Sequence, residues 1–307
     1  MTASVFIDGA VGTTGLEIAD RLSGRGEFSL ITLPEERRKD DAARAEALNA
    51  ADFVILCLPD DAAKAAVAMI DNPRTRVIDA SSAHRVADGW TYGFPEVVGR
   101  ETVAAAMRVS NPGCYPTGFI ALVAPLVKAG LLPASWPYTV NAVSGYSGGG
   151  KALIARFEDD TDIAFRDYGL SLGHKHVPEM TKLAGLVHAP VFAPAVIPAH
   201  RGMVVEVPLP LAAIPGAASP EALLTCLKQA YADSEIVTVR EGKPDELLLR
   251  RSTAPSDRLD LHVFGAKDGS QARLVAVLDN LGKGASGAAV QNLNLMAGLP
   301  ETAGLAL

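Results

Sequence analysis

The chain has 307 residues, 49% of them hydrophobic, and a formal net charge of -7. That length and apolar content allow a large core and two domains, and the acidic balance, with no basic stretch beyond Arg37-Arg38-Lys39, argues against nucleic-acid or anionic-membrane binding. No stretch approaches a membrane span, no charged leader precedes the first apolar run, and three widely spaced cysteines form neither a disulfide framework nor a metal pattern, so a cytoplasmic protein with a small-molecule partner is expected.

The first third alternates between two periodicities. Ser4-Asp8, Phe28-Leu33, Phe53-Leu58 and Arg76-Ala80 read as strands, and Thr14-Leu22, Ala42-Asn49 and Ala62-Ile70 as helices. Alternation at this short spacing predicts an α/β domain with a Rossmann-type, doubly wound parallel sheet. Between its first strand and first helix stands Gly9-Ala10-Val11-Gly12-Thr13-Thr14-Gly15. Glycines there let the backbone approach a pyrophosphate on the helix N-terminus, although the spacing is GxxGxxG instead of GxGxxG. Gly9, Gly12, Thr13, Thr14 and Gly15, with Leu58, Pro59 and Ser81 after the third and fourth strands, form the expected cofactor-binding set.

The end of the second strand selects the nicotinamide cofactor: an acid there binds the ribose hydroxyl of NAD, and arginines accept the 2′-phosphate of NADP. Glu35 and Glu36 precede Arg37 and Arg38, so spacing alone leaves the choice open. We read NADP, with the two arginines around the phosphate and the glutamates turned outward. Arg85 follows the fourth strand at its carboxyl end, where open sheets place their ligands, and is a candidate for a substrate anion.

Next comes Ser110-Asn111-Pro112-Gly113-Cys114-Tyr115-Pro116-Thr117-Gly118, between a strand at Arg108-Ser110 and an apolar helical pattern from Phe119 to Val127. Pro112 and Gly113 force a turn, which sets Cys114 near a helix start. Unpaired N–H groups and the positive end of the helix dipole there favour the thiolate, the nucleophilic form. Cys57, inside an apolar strand, and Cys226, on the apolar face of a helix, read as core residues.

Beyond Cys114 the rhythm changes to longer strands joined by hairpins: Tyr138-Val143, Val191-Ile197, Met203-Leu209, Ile236-Arg240, Leu259-Ala266 and Arg273-Asp279. Helices are predicted near Lys151-Phe157, Pro178-Leu186, Pro220-Ala232 and Ala285-Leu299, the last folding back on the nucleotide domain. This describes an α+β domain with a largely antiparallel or mixed sheet. The expected division is 1–113 with 285–307, and 114–284.

A cysteine nucleophile needs a proton carrier, and two of the six histidines stand together in Gly173-His174-Lys175-His176-Val177-Pro178-Glu179. No second cluster completes a metal site around this His-x-His, so a general acid/base role is favoured and no metal is expected. His84, His188 and His262 read as surface or satisfied core residues, and His200, beside Arg201 in a turn, ranks between. Arg201 is a second anion candidate, and the glycine-rich loop Ser144-Gly145-Tyr146-Ser147-Gly148-Gly149-Gly150-Lys151 offers backbone N–H groups to a phosphate or carboxylate.

In this order the glycine loop, the Ser-Asn-Pro-Gly-Cys-Tyr-Pro-Thr run, the Ser-Gly-Tyr-Ser-Gly-Gly-Gly-Lys loop, the double-histidine run and Asp279-Asn280-Leu281-Gly282-Lys283-Gly284-Ala285 resemble the shorter-chain type of the N-acetyl-gamma-glutamyl-phosphate reductase family, over nearly the whole chain. The resemblance implies a nucleotide domain plus a catalytic and oligomerisation domain, shared with aspartate-semialdehyde dehydrogenases, and a homo-oligomer, a dimer or tetramer. It also implies NADPH-dependent reduction of an acyl phosphate to an aldehyde in arginine biosynthesis. Carried onto this chain, Cys114 is the nucleophile and His174 the leading acid/base. His176 contacts substrate, and Glu179 orients a histidine or touches substrate. Asn111, Ser144, Gly145, Ser147, Lys151, Arg85 and Arg201 bind substrate, and Asn280 and Gly284 lie near the nicotinamide. Three alternatives stand beside it: an aspartyl-phosphate reductase, a dinucleotide-binding regulator that needs neither Cys114 nor the histidines, and a cysteine hydrolase that needs no nucleotide domain.

Overall fold

The computed structural model describes residues 2–242 and 244–307. In chain order its elements are β1 (Ala3–Asp8), α1 (Thr13–Leu22), β2 (Phe28–Ile31), α2 (Asp41–Ala50), β3 (Phe53–Leu56), α3 (Asp60–Ala68), β4 (Arg76–Asp79), β5 (Thr91–Tyr92), α4 (Pro95–Val98), α5 (Arg100–Ala105) and β6 (Arg108–Ser110). There follow α6 (Cys114–Lys128), β7 (Thr139–Gly145), α7 (Gly150–Asp159), β8 (Arg166–Asp167), α8 (Val177–Leu183), β9 (Val191–Ile197), β10 (Met203–Leu209), α9 (Pro220–Ala230), β11 (Val237–Val239), β12 (Leu259–Gly265), β13 (Ala272–Leu278) and α10 (Gly287–Met296). The chain forms two compact units, one reaching to Pro112 and including Ala285–Leu305, the other made of Gly113–Gly284 and Ala306–Leu307.

The first unit is a parallel sheet in the order β2-β1-β3-β4-β6-β5. A core on one face gathers Val5, Ile7, Ile18, Ile55, Ile78 and Leu293, and one on the other gathers Phe6, Leu48, Val54, Leu56 and Val77. Covering both faces is why β3 reads Phe-Val-Ile-Leu without alternation. The strand order reverses between β1 and β3, and the loop Gly9–Gly12 opens there, at the position where open sheets bind ligands.

Several boundaries differ from expectation. β2 stops at Ile31 and β3 at Leu56, short of Leu33 and Leu58. Pro34 and Pro59 follow those leucines, and a proline neither donates to a ladder nor leaves the residue before it free. β5, α4 and α5 were not anticipated; at 2, 4 and 6 residues they are too short to carry a periodic pattern. Arg76 donates to the carbonyls of Ala104, Ala106 and Met296, so one cation serves the C-terminal ends of both α5 and α10.

The second unit is a mixed sheet in the order β11-β12-β13-β10-β7-β9-β8, with β11/β12 and β7/β9 parallel and the other pairs antiparallel. Alternate residues of β10 are buried, so one face of the sheet holds the core. Helix α6 lies on that face so closely that a Cβ on Gly118 would fall 2.9 Å from the Cβ of Val205. β8 was not anticipated, α8 is shorter than predicted, and a π-turn at Gly282–Ser286 precedes α10 where a continuous helix from Ala285 was expected. No helix among the described residues is long and apolar enough to cross a membrane.

Candidate active site

In the second unit Cys114 is the first residue of α6, with extended Gly113 as its N-cap and no side chain capping the helix. No acidic residue lies in the first turn, so no carboxylate on that turn competes with the helix dipole at the thiol. Spacing predicted this helix only from Phe119. The helix runs back through Pro116 because proline is tolerated in a first turn, where its missing N–H would be unpaired anyway.

Glu179, 1% exposed on the first turn of α8, accepts the N–H of Gly113 at 3.1 Å. It therefore anchors the turn that presents Cys114, a bond spacing had not assigned it. From the other side, a Cβ on Gly284 would stand 2.9 Å from the Cβ of Cys114. Gly284 thus packs against the nucleophile candidate.

The two histidines meet edge to face, ring centroids 4.6 Å apart, beside Tyr115, Tyr168 and Phe192. His176 donates its backbone N–H to His174 Nδ1 at 3.1 Å, and His174 Nε2 lies 3.5 Å from the Tyr168 hydroxyl. Tyr168 is 3.2 Å from the Tyr115 hydroxyl, which donates to the Ala195 carbonyl at 3.2 Å. Burial pushes the Tyr168 phenol up to about 12, and burial, with the charges of Tyr168 and Cys114, raises Tyr115 further, so both are neutral hydroxyls at physiological pH. Sequence reasoning missed both tyrosines; Tyr115, next to Cys114, was the legible one.

The glycine-rich loop is tied down rather than open. Ser147 donates to the His200 carbonyl and accepts from Asn280 Nδ2 at 2.9 Å, while Asn280 Oδ1 accepts the N–H of Gly202 at 3.0 Å. Asn280 is therefore a brace within the second unit. Gly145 admits no side chain, since a Cβ would fall 2.7 Å from the Ala199 carbonyl oxygen. Ser144 is buried at the end of β7, where its hydroxyl donates to Gly145 O. Lys151 projects from the start of α7 and is exposed. Arg201 donates to Asp279 at 2.9 Å, and that carboxylate, 3% exposed, also takes the N–H of Leu281. Asp279 had no role in the sequence reading.

The first unit holds the other group of candidates. A Cβ on Gly9 would lie 2.3 Å from the Cys57 carbonyl oxygen, and one on Gly15 2.5 Å from the Gly9 oxygen; Gly9 also has φ +91. Gly12, with its nearest atom at 3.4 Å, is not sterically obliged. Helix α1 starts at Thr13-Thr14 with no side-chain cap, leaving its first-turn N–H groups for a phosphate. Leu58 and Pro59 lead from β3 into α3. After β2, Arg38 pairs with Glu35 at 2.8 Å, and Glu35, Glu36 and Arg37 are all exposed.

At the end of β4, Asp79 is fully buried and accepts from the Ser81 N–H and hydroxyl, both at 2.8 Å. His84 Nδ1 lies 2.6 Å from the same carboxylate, its ring stacked on Trp90. His84 is thus a satisfied residue, whereas His188 and His200 are exposed and His262 is buried with no partner on Nδ1. Arg85 donates to the Asn111 carbonyl at 3.0 Å. Asn111 is itself knotted into the unit, its amide donating to Ala285 O at 2.9 Å and accepting from Asn292 at 3.1 Å.

Comparison with known proteins adds to this geometry. Residues 4–106 match the semialdehyde dehydrogenase NAD-binding domain, and residues 114–280 the semialdehyde dehydrogenase dimerisation domain. A protein of Nostoc sp. named N-acetyl-gamma-glutamyl-phosphate reductase 2 is 48% identical over 98% of both chains, and one of the same name from Pseudomonas putida is 50% identical over 99% of both. Among solved structures, aspartate semialdehyde dehydrogenase II of Vibrio cholerae complexed with ASA superposes with a TM-score of 0.73 at 17% identity, covering 96% of this chain and 98% of its own. Aspartate semialdehyde dehydrogenase with NADP from Candida albicans gives 0.66 at 15% identity, covering 97% and 99%. At those identities the structures establish the fold alone.

Proposed function

The chain belongs to the N-acetyl-gamma-glutamyl-phosphate reductases, a family of oxidoreductases, and on that premise we propose that it reduces N-acetyl-L-glutamyl 5-phosphate to N-acetyl-L-glutamate 5-semialdehyde and phosphate, with NADPH, in arginine biosynthesis. The observation that carries the chemistry is Cys114 at the uncapped start of α6, its turn held by Glu179 and its back pressed by Gly284.

The Cys114 thiolate attacks the acyl carbon, a C–S bond forms, the C–O bond to phosphate breaks, and inorganic phosphate leaves with the electron pair. The thioester is then reduced, and collapse of the resulting thiohemiacetal returns the sulfur and frees the aldehyde. The pair His174/His176 carries the proton that leaves the thiol and returns to it. Arg201 and the Ser144-Lys151 loop of the second unit meet the anionic groups of the substrate.

The nucleotide residues fit the dinucleotide. Gly9 and Gly15 leave backbone where a side chain would collide, and α1 presents uncapped N–H groups to a pyrophosphate. When bound, the dinucleotide supplies the hydride. Arg37 and Arg38 select the 2′-phosphate of NADP, and Thr13, Thr14, Leu58, Pro59 and Ser81 complete the contacts. The second unit pairs with a second copy in a homo-oligomer, consistent with its match to a dimerisation domain.

The test runs in reverse. N-acetyl-glutamate semialdehyde with phosphate should reduce NADP, and aspartate semialdehyde should react far more slowly. A preference for aspartate semialdehyde would move the substrate assignment to the related dehydrogenases.

A further inference from the structure

Tyr168 and His174 are six residues apart and face each other because the chain between them reverses. Gly169 has φ +69 and Leu172 φ +61, and the Leu172 N–H closes on the Gly169 carbonyl at 2.8 Å. A left-handed leucine is a local strain that persists only when its surroundings hold it. The product of that strained turn is one contact, Tyr168 hydroxyl to His174 Nε2 at 3.5 Å.

The protons in this contact can be placed by elimination. His174 Nδ1 receives the backbone N–H of His176, a group that can only donate, so in the neutral imidazole Nδ1 is the bare nitrogen and Nε2 carries the hydrogen. Nε2–H then points at the oxygen of Tyr168. Tyr168 passes its own hydrogen to the oxygen of Tyr115, and Tyr115 donates to the Ala195 carbonyl, which can only accept. Fixed at one end by a donor and at the other by an acceptor, the line runs in a single direction. Protonating Nδ1 would break the bond from His176.

We propose that Tyr168 is a positioning residue that, with the His176 backbone N–H, holds His174 as a neutral imidazole protonated on Nε2. In that form His174 acts as a hydrogen-bond donor to the substrate oxygen that gains charge as the acyl carbon becomes tetrahedral. The 3.5 Å contact is long enough for Nε2–H to leave Tyr168 for that oxygen. This rests on the reaction proposed above and divides the pair in it: His174 donates to the substrate oxygen, and the thiol proton falls to His176.

The test joins a spectroscopic and a kinetic reading of the full chain. Long-range proton–nitrogen spectra of histidine-labelled protein, with His174 assigned by its loss in His174→Gln, should show hydrogen on Nε2 and a bare Nδ1 at the pH of the assay. Tyr168→Phe, checked for unchanged melting and nucleotide binding, should blur that pattern into exchange between tautomers. Its turnover should fall about tenfold or more, part of the roughly 10²–10³-fold that one oxyanion donor contributes, with the Michaelis constant nearly unchanged. Hydrogen on Nδ1, or a charged His174, in the wild type would overturn the assignment, as would Tyr168→Phe with tautomer and turnover intact. A variant raised only in Michaelis constant would make Tyr168 a substrate contact instead. If the wild type lacks phosphate-dependent aldehyde oxidation, the reaction fails, while the spectra still decide the state of His174.

Discussion

Gly284 and Cys114 are packed back to back, with space between them for a hydrogen and not for a methyl group: the Cβ of an alanine at 284 would lie 2.9 Å from the Cys114 Cβ and 3.1 Å from the Asp279 oxygen. Gly284→Ala should therefore push the cysteine off its position. We expect a stability loss of about 1–3 kcal/mol from overpacking. Because a displacement near 1 Å can cost about 10²-fold in rate, turnover should fall much further than stability implies. Thermal melting and steady-state kinetics on the same sample check both; a fully active variant would mean that the contact positions nothing.

The thiols should differ sharply in reactivity. Burial first, then the charges of Asp79 and Asp8, push the Cys57 thiol up to about 12, so at pH 8 almost none of it is thiolate. Its folded-state value lies above the ordinary one, and its thiolate emerges only as pH rises towards 12. Cys114 faces a helix N-terminus instead. Iodoacetamide at pH 8 should modify Cys114 first and abolish activity, with Cys57 labelled only on unfolding. Peptide mapping by mass spectrometry reads the order.

Cofactor choice should respond to Arg37 and Arg38 despite the Glu35 bond. That pair joins a side chain 34% exposed to one 85% exposed, and such surface pairs are worth about 0–1 kcal/mol, little enough for a phosphate to displace. Arg37→Ala/Arg38→Ala should weaken NADPH and leave NADH nearly unchanged, measured by fluorescence titration of both. Equal losses would place these arginines away from the nucleotide.

The expected strands came from apolar runs, and β1, β3, β9, β10, β12 and β13 appear where those runs lie. Cys114 sits at a helix start because Pro-Gly followed by an apolar helix is a local signal. What was illegible is long-range. Glu179 reaches Gly113 across 66 positions, Asn280 reaches Ser147 across 133, and Asn111 reaches Asn292 across 181. No local pattern encodes those bonds. Residues that the family resemblance offered as ligand contacts, Asn111 and Asn280 above all, make bracing bonds that only the folded chain defines.

Arg201 needs its structural part separated from any contact with substrate. It pairs with Asp279, 3% exposed, and removing one partner of a buried pair leaves an uncompensated charge that costs about 3–5 kcal/mol. Arg201→Ala should melt well below wild type. Arg201→Lys should recover stability and yet remain poor in Michaelis constant, because an ammonium does not reproduce a guanidinium fork.

The thioester on Cys114 is the step on which the proposed reaction stands. Incubating the enzyme with N-acetyl-glutamyl 5-phosphate in the absence of NADPH, quenching in acid and mapping peptides by mass spectrometry should show the N-acetylglutamyl group on the peptide carrying Cys114. Phosphate should be released in equal amount, and Cys114→Ser should show neither. Wild-type turnover without acylation of Cys114, or Cys114→Ser turning over at a near-normal rate, would contradict it.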